Sequence, residues 1–247
     1  MGAHCFECVK AAAPSRREQA RVRNALGRSR PTATLALIAA NVVVFLLTTD
    51  LGRPGTTIRN SVVFDGATWG PPVAENQELY RLVTGGFLHF DLRHVGMNML
   101  LLFLLGRRLE QLLGSAWFAG LYAVSLLGGA AGALLVAPDA QTAGASGAVY
   151  GVMGGLYLVE KMSGGDPWND GIGTLVILNV VISFLVPNIS IGGHLGGLVA
   201  GAAAGYLLGD QRRPIQPTRA VSGLIALAAL MVGVALYGAS TWQQPLF

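Results

Sequence analysis

Ser146, His194, His94 and Asn98 are the residues of this chain whose types could do chemistry together. A serine hydroxyl is a weak nucleophile until a base takes its proton, and histidine is the usual base at neutral pH. Attack on a carbonyl carbon then makes a tetrahedral oxyanion, which needs hydrogen-bond donors. The Ser146 backbone N–H, the Asn98 amide and a His94 ring N–H are candidate donors. His94 and Asn98 stand at i and i+4, so on a helix they share one face. The chemistry that fits this set is nucleophilic acyl transfer.

The elements that must position these groups are apolar. The chain has 247 residues, of which 52% are hydrophobic and only 12% charged. That is too little polar surface to cover a soluble core of this size, and far too apolar for disorder. Cys5 and Cys8, two cysteines close together, exclude a disulfide scaffold. Seven stretches carry almost no charge: Thr34–Thr49, Val95–Leu105 (continuing past Arg107), Ala116–Val136, Ala143–Val159, Ile172–Val186, Ile191–Leu208 and Val221–Tyr237. They do not alternate with period two, so they read as helices of a polytopic membrane bundle rather than barrel strands. Several are shorter than the roughly 20 residues that span a bilayer, so neighbours must shelter them.

Charge orients the bundle. Lys10, Arg16, Arg17, Arg21, Arg23, Arg28 and Arg30 precede the first stretch, which places the N-terminus in the cytoplasm. Thirteen of the seventeen Lys and Arg then fall inside, and the C-terminus lies outside. The segment Asp50–Arg93 is the large outer loop, long enough to hold structure of its own. Stretches two, four and six run from outside to inside. His94 and Asn98, Ser146 in Ala143-Gly144-Ala145-Ser146-Gly147, and His194 in Gly192-Gly193-His194 therefore lie at similar depth. Gly147 and Gly151, and Gly197, Gly201 and Gly205, form small-residue faces that let two helix backbones approach. Tyr150 lies one turn below Ser146, where its ring could stack under His194. Each residue also has a plainer use: serine and glycine as packing residues, Asn98 as an interhelical hydrogen bonder, a membrane histidine as part of a proton pathway.

Gly144-Ala145-Ser146-Gly147, His194-Leu195-Gly196-Gly197 and His94-Val95-Gly96-Met97-Asn98 together resemble the motifs of the rhomboid family of intramembrane serine proteases. Gln77–Thr84, with Arg81, is similar to that family's segment before the second helix, and Gly106-Arg107-Arg108-Leu109-Glu110 to its signature after that helix. The resemblance runs in order over residues 33–209. It implies a six-helix core with one extra C-terminal helix and a Ser146–His194 dyad lacking an acidic third member. It also implies an oxyanion hole from His94, Asn98 and the Ser146 backbone, with Tyr150 packed on His194. Substrates would be single-pass transmembrane proteins in the lipid bilayer, cut near the extracytoplasmic face of a bacterial plasma membrane, with neither cofactor nor nucleic acid involved. The Val186–Ile191 link above His194 is the natural cap of such a site.

The expected organisation is a basic tail over 1–32, a protease core over 33–213, and a linker with the seventh helix over 214–247. His4, Cys5 and Cys8 in the tail offer half of a zinc site or simply a pair of reduced thiols. Two competing functions remain at this point. A catalytically silent rhomboid-like client-binding protein would have lost the Ser146/His194 pair. A transporter would show inverted repeats and midplane charges, which are not visible.

Overall fold

The computed structural model describes residues 30–49, 59–187, 189–209 and 215–243. The first apolar stretch forms α1 (Thr32–Thr48). A helix start leaves four N–H groups without intrahelical partners. Glu110, from a later helix, meets two of them by accepting the Ala33 and Thr34 N–H groups, each at 2.8 Å, and also takes the Thr34 hydroxyl at 2.6 Å.

The described part of the long segment between the first two apolar stretches, from residue 59 on, holds structure of its own. It contains α2 (Asn60–Gly66), α3 (Gly70–Glu75) and α4 (Arg81–Thr84), followed by the tight turn Gly85–Phe87. Arg81 is buried and ties these pieces together: it bonds Glu78 at 2.6 Å and the Phe64 and Ala67 carbonyls at 2.7 and 3.2 Å. Thr68 and Thr142 exchange backbone hydrogen bonds at 2.9 Å, pinning the loop to the segment before Ser146.

The second stretch is one continuous helical rod: α5 (Leu92–Leu101), a wide π turn over Leu102–Gly106, and α6 (Arg107–Leu113). It does continue past Arg107. Near its far end Arg108 bridges Glu160 and Asp170. The remaining helices are α7 (Ser115–Val136), α8 (Ser146–Met162), α9 (Ile172–Leu185), α10 (Ile191–Leu208) and α11 (Pro217–Ser240). Helices α7, α10 and α11 are long and apolar enough to cross a membrane, and α1 and α9 are shorter apolar helices. The fold is an all-helical polytopic bundle.

Several boundaries differ from the sequence reading by a few residues, and two of the differences have a clear local cause. Helix α8 begins at Ser146 rather than Ala143, because Gly144 sits at φ +136°, a conformation no helix can contain. Helix α11 begins at Pro217 rather than Val221; proline at a helix start loses no hydrogen bond there.

Glycine seams join α10 to both neighbours. A Cβ at Gly192 or Gly196 would overlap the Gly132 or Gly128 carbonyl of α7. One at Gly197 or Gly201 would overlap the Gly147 or Gly151 carbonyl of α8, and one at Gly205 would lie 2.8 Å from the Gly155 Cα. Helix α11 braces the outside of α7. Its Ala235 and Ala239 pack with Ala130, Ala131 and Leu134 of α7, with Val73 of α3 and with Leu82 of α4.

Candidate active site

Ser146 is the first residue of α8, so its backbone N–H belongs to the unpaired first turn of a seventeen-residue helix. The glycine seam holds this end of α8 against α10: a Cβ on Gly147 would stand 3.2 Å from the Gly193 carbonyl. One turn into α8, the Tyr150 ring stacks on the His194 imidazole, with centroids 4.0 Å apart and planes 21° from parallel. His194 is 8% exposed. Ser146 and His194 thus sit on facing helices, and no direct Ser146–His194 hydrogen bond exists among the described residues. Apo geometries of such pairs are often loose and tighten only with substrate.

His94 comes from the first turn of α5, whose start is capped by the Asp91 carboxylate accepting the His94 N–H at 2.9 Å. A Cβ at Gly144 would fall 2.7 Å from His94 Nε2 and 3.7 Å from Ser146 Oγ. His94 and Ser146 therefore flank the bare α-carbon of Gly144. The Phe90 N–H, which can only donate, points at His94 Nδ1 at a long 3.5 Å. A neutral ring accepting at Nδ1 carries its proton on Nε2, the nitrogen beside Gly144. Asn98 is buried, and its amide donates to the His94 carbonyl one turn back at 2.9 Å. One of its two N–H bonds is thereby used within its own helix. Beside Ser146 lies a small cavity of about 30 Å³, bounded among others by Thr68, Thr142, Gly144 and Ser190, with room for about one water.

The sequence profile of the Rhomboid domain matches residues 76–211, which include Ser146, His194, His94, Asn98 and Tyr150. The chain belongs to the rhomboid family. It is 33% identical over 213 residues to rhomboid protease GluP of Bacillus subtilis, covering 85% of this chain and 41% of that protein. It is 28% identical to rhomboid-like protease 3 of Toxoplasma gondii, over 68% of this chain and 65% of that one. With rhomboid-like protease 1 of the same organism it shares 28% identity over 81% of this chain and 74% of the relative. The chain thus spans under half of the length of GluP.

Two residues of this candidate site escape sequence reasoning. His89, fully buried, lies in the loop that precedes α5. Its Nε2 accepts the Ala145 N–H at 3.4 Å and its Nδ1 faces the Phe87 carbonyl at 3.3 Å, so it steadies the residue before Ser146. Its ring edge meets His94, with centroids 5.0 Å apart. Burial, and then the neighbouring His94, push the His89 imidazole down to about 4, so it is neutral at pH 7. A fifth-residue spacing before His94 was its only signal. Ser183 of α9 is the second: its hydroxyl lies 2.7 Å from His194 Nδ1. A lone serine in an apolar run carried no signal at all. His4, Cys5 and Cys8 lie outside the described residues.

Proposed function

We propose that this chain is an intramembrane serine endopeptidase that cuts single-pass transmembrane proteins near the extracytoplasmic face, with the N-terminus in the cytoplasm. Ser146 Oγ attacks the scissile carbonyl carbon and its proton passes to His194 Nε2. The oxyanion takes hydrogen bonds from the Ser146 N–H, from His94 Nε2–H and from the remaining Asn98 N–H. Collapse breaks the C–N bond, and the leaving amine takes the proton from His194. Water, drawn through the cavity beside Ser146, gives a proton to His194 and attacks the acyl ester. The second collapse frees the acid and returns the proton to Ser146.

The observation that carries the reading is the His194 ring, stacked on Tyr150 one turn from Ser146 and bonded at Nδ1. That leaves Nε2 as the nitrogen available to the serine. The resemblance to proteases by name supports the same class. The test uses purified protein in liposomes with a model single-pass substrate. Wild type should cleave it and Ser146→Ala should not, while Ala keeps the fold because it suits a small-residue helix end. Equal turnover by the Ala variant would reject Ser146 as nucleophile; a folded wild type that binds but never cuts transmembrane segments would favour the client-binding alternative.

A further inference from the structure

We propose that Ser183, on the fifth apolar helix α9, is a positioning member of the site, and that its hydroxyl holds His194 in the tautomer able to accept the Ser146 proton. The inference deepens the protease reading above and rests on it for its kinetic consequences. Ser183 is 2% exposed and is the only buried residue in the second half of α9. It belongs to a face of small or polar groups with Asn179, one turn earlier, turned toward α8 and α10.

Four polar groups meet there. The Tyr150 hydroxyl lies 2.7 Å from the Asn179 carbonyl and 2.7 Å from Ser183 Oγ. Ser183 Oγ lies 2.9 Å from the Asn179 carbonyl and 2.7 Å from His194 Nδ1. The Asn179 carbonyl can only accept. A serine in an apolar helix ordinarily donates to the carbonyl four residues back, which here is Asn179. That bond uses the one hydroxyl proton of Ser183, so its oxygen faces His194 as an acceptor. Nδ1 must then carry the imidazole proton, and Nε2 is the free base.

The other arrangement turns the Ser183 proton onto Nδ1 and moves the ring proton to Nε2. Among the described residues Nε2–H then has no protein acceptor, and buried donors without partners are rare. It would also be the wrong tautomer, since a protonated Nε2 cannot take a proton from Ser146. With Nδ1–H on Ser183 every proton in the network has an acceptor. When His194 becomes an imidazolium during the reaction, the same bond becomes charge-assisted and tightens. Ser183 is neutral, so it orients the ring without adding a charge of its own.

The test has one readout that needs no turnover. Nitrogen-15 NMR of histidine-labelled wild type, and of Ser146→Ala, should show His194 with its proton on Nδ1. In Ser183→Ala the His194 signals should move to a mixture of tautomers, and Ser183→Thr, which keeps a hydroxyl there, should restore the single form. In the liposome assay Ser183→Ala should lower kcat about tenfold with KM unchanged, the kinetic equivalent of one neutral hydrogen bond, with Thr recovering most of it. Wild-type His194 protonated on Nε2, or an unaltered Nδ1 tautomer in Ser183→Ala, would overturn the proposal even if activity fell. Should no protein in the set cleave substrate, the protease reading fails, while the tautomer of His194 still decides the role of Ser183.

Discussion

Helices α8 and α10 meet backbone to backbone along Gly147, Gly151 and Gly155 on one side and Gly197, Gly201 and Gly205 on the other. Helix α9, beside them, buries only Ile172, Gly173 and Ser183 of its fourteen residues, and leaves Ile177, Leu178, Val181, Ile182, Phe184 and Leu185 uncovered by protein. In a bilayer, apolar side chains gain nothing by leaving lipid for protein, so close backbone packing is what holds helices together. Large side chains deny α9 that packing along most of its length. The proposed nucleophile and base therefore sit on a pair of helices joined backbone to backbone. The loosely held helix offers the site a hydroxyl, Ser183, and a backbone carbonyl, Asn179.

The sharpest break of this contrast comes from filling the seam. Gly201→Leu would drive a large side chain into the Gly151 backbone, which cannot yield as a side chain can. Its cost should reach or exceed the upper part of the ~1–3 kcal/mol range of overpacked cores. Phe184→Ala, on the uncovered face of α9, should stay within ~0.5 kcal/mol. Thermal unfolding in detergent compares the two; equal losses of Tm would show that the seam carries no special load.

A smaller and more local change separates the site from its scaffold. Gly144→Ala places a methyl 2.7 Å from His94 Nε2 on a backbone at φ +136°. The loop before Ser146 and the His94 ring must shift apart. Turnover should fall by about 10²-fold, the scale for losing one oxyanion donor, with Tm changing far less than in Gly201→Leu. Near-normal turnover would remove His94 from the oxyanion site.

The smallest effect is expected from acid. His89 titrates near 4 when folded, against about 6.5 for an unfolded imidazole. The unfolded chain thus binds that proton first. The stability due to neutral His89 is whole above about pH 6.5 and is lost as pH falls toward 4. Wild-type Tm should decline through that window more steeply than that of His89→Leu, which has no proton to gain. Parallel slopes would mean that folding leaves the proton affinity of His89 unchanged, and that its imidazole is not held neutral by burial.

How far the sequence alone reached depended on whether neighbours in sequence are neighbours in function. Charge-free runs located the seven long apolar helical stretches among the described residues, since an apolar span marks every residue in it; the short helices α2, α3 and α4 left no such mark. The start of α8 was misplaced because Ala143 and Ala145 look helical, and only the backbone at Gly144 forbids it. The glycine spacing on α8 and α10 anticipated their contact, because i, i+4 periodicity marks a helix face. Asn98 is less legible: its i, i+4 relation to His94 serves equally an oxyanion donor and the helix bond at 2.9 Å now seen. Ser183 was invisible, because its partner His194 lies across a helix–helix interface and nothing in the local pattern of α9 distinguishes it from a packing serine.

The most direct test of a base-activated Ser146 is covalent. An alkyl fluorophosphonate phosphonylates a serine oxygen with loss of fluoride, and does so quickly only where a base takes the hydroxyl proton. Full-length protein in liposomes is treated with the reagent, digested and mapped by mass spectrometry. The expected result is a single adduct on Ser146, absent from Ser146→Ala and strongly slowed in His194→Ala. An adduct on another serine, or labelling of Ser146 at the same rate in His194→Ala, would contradict the Ser146–His194 site.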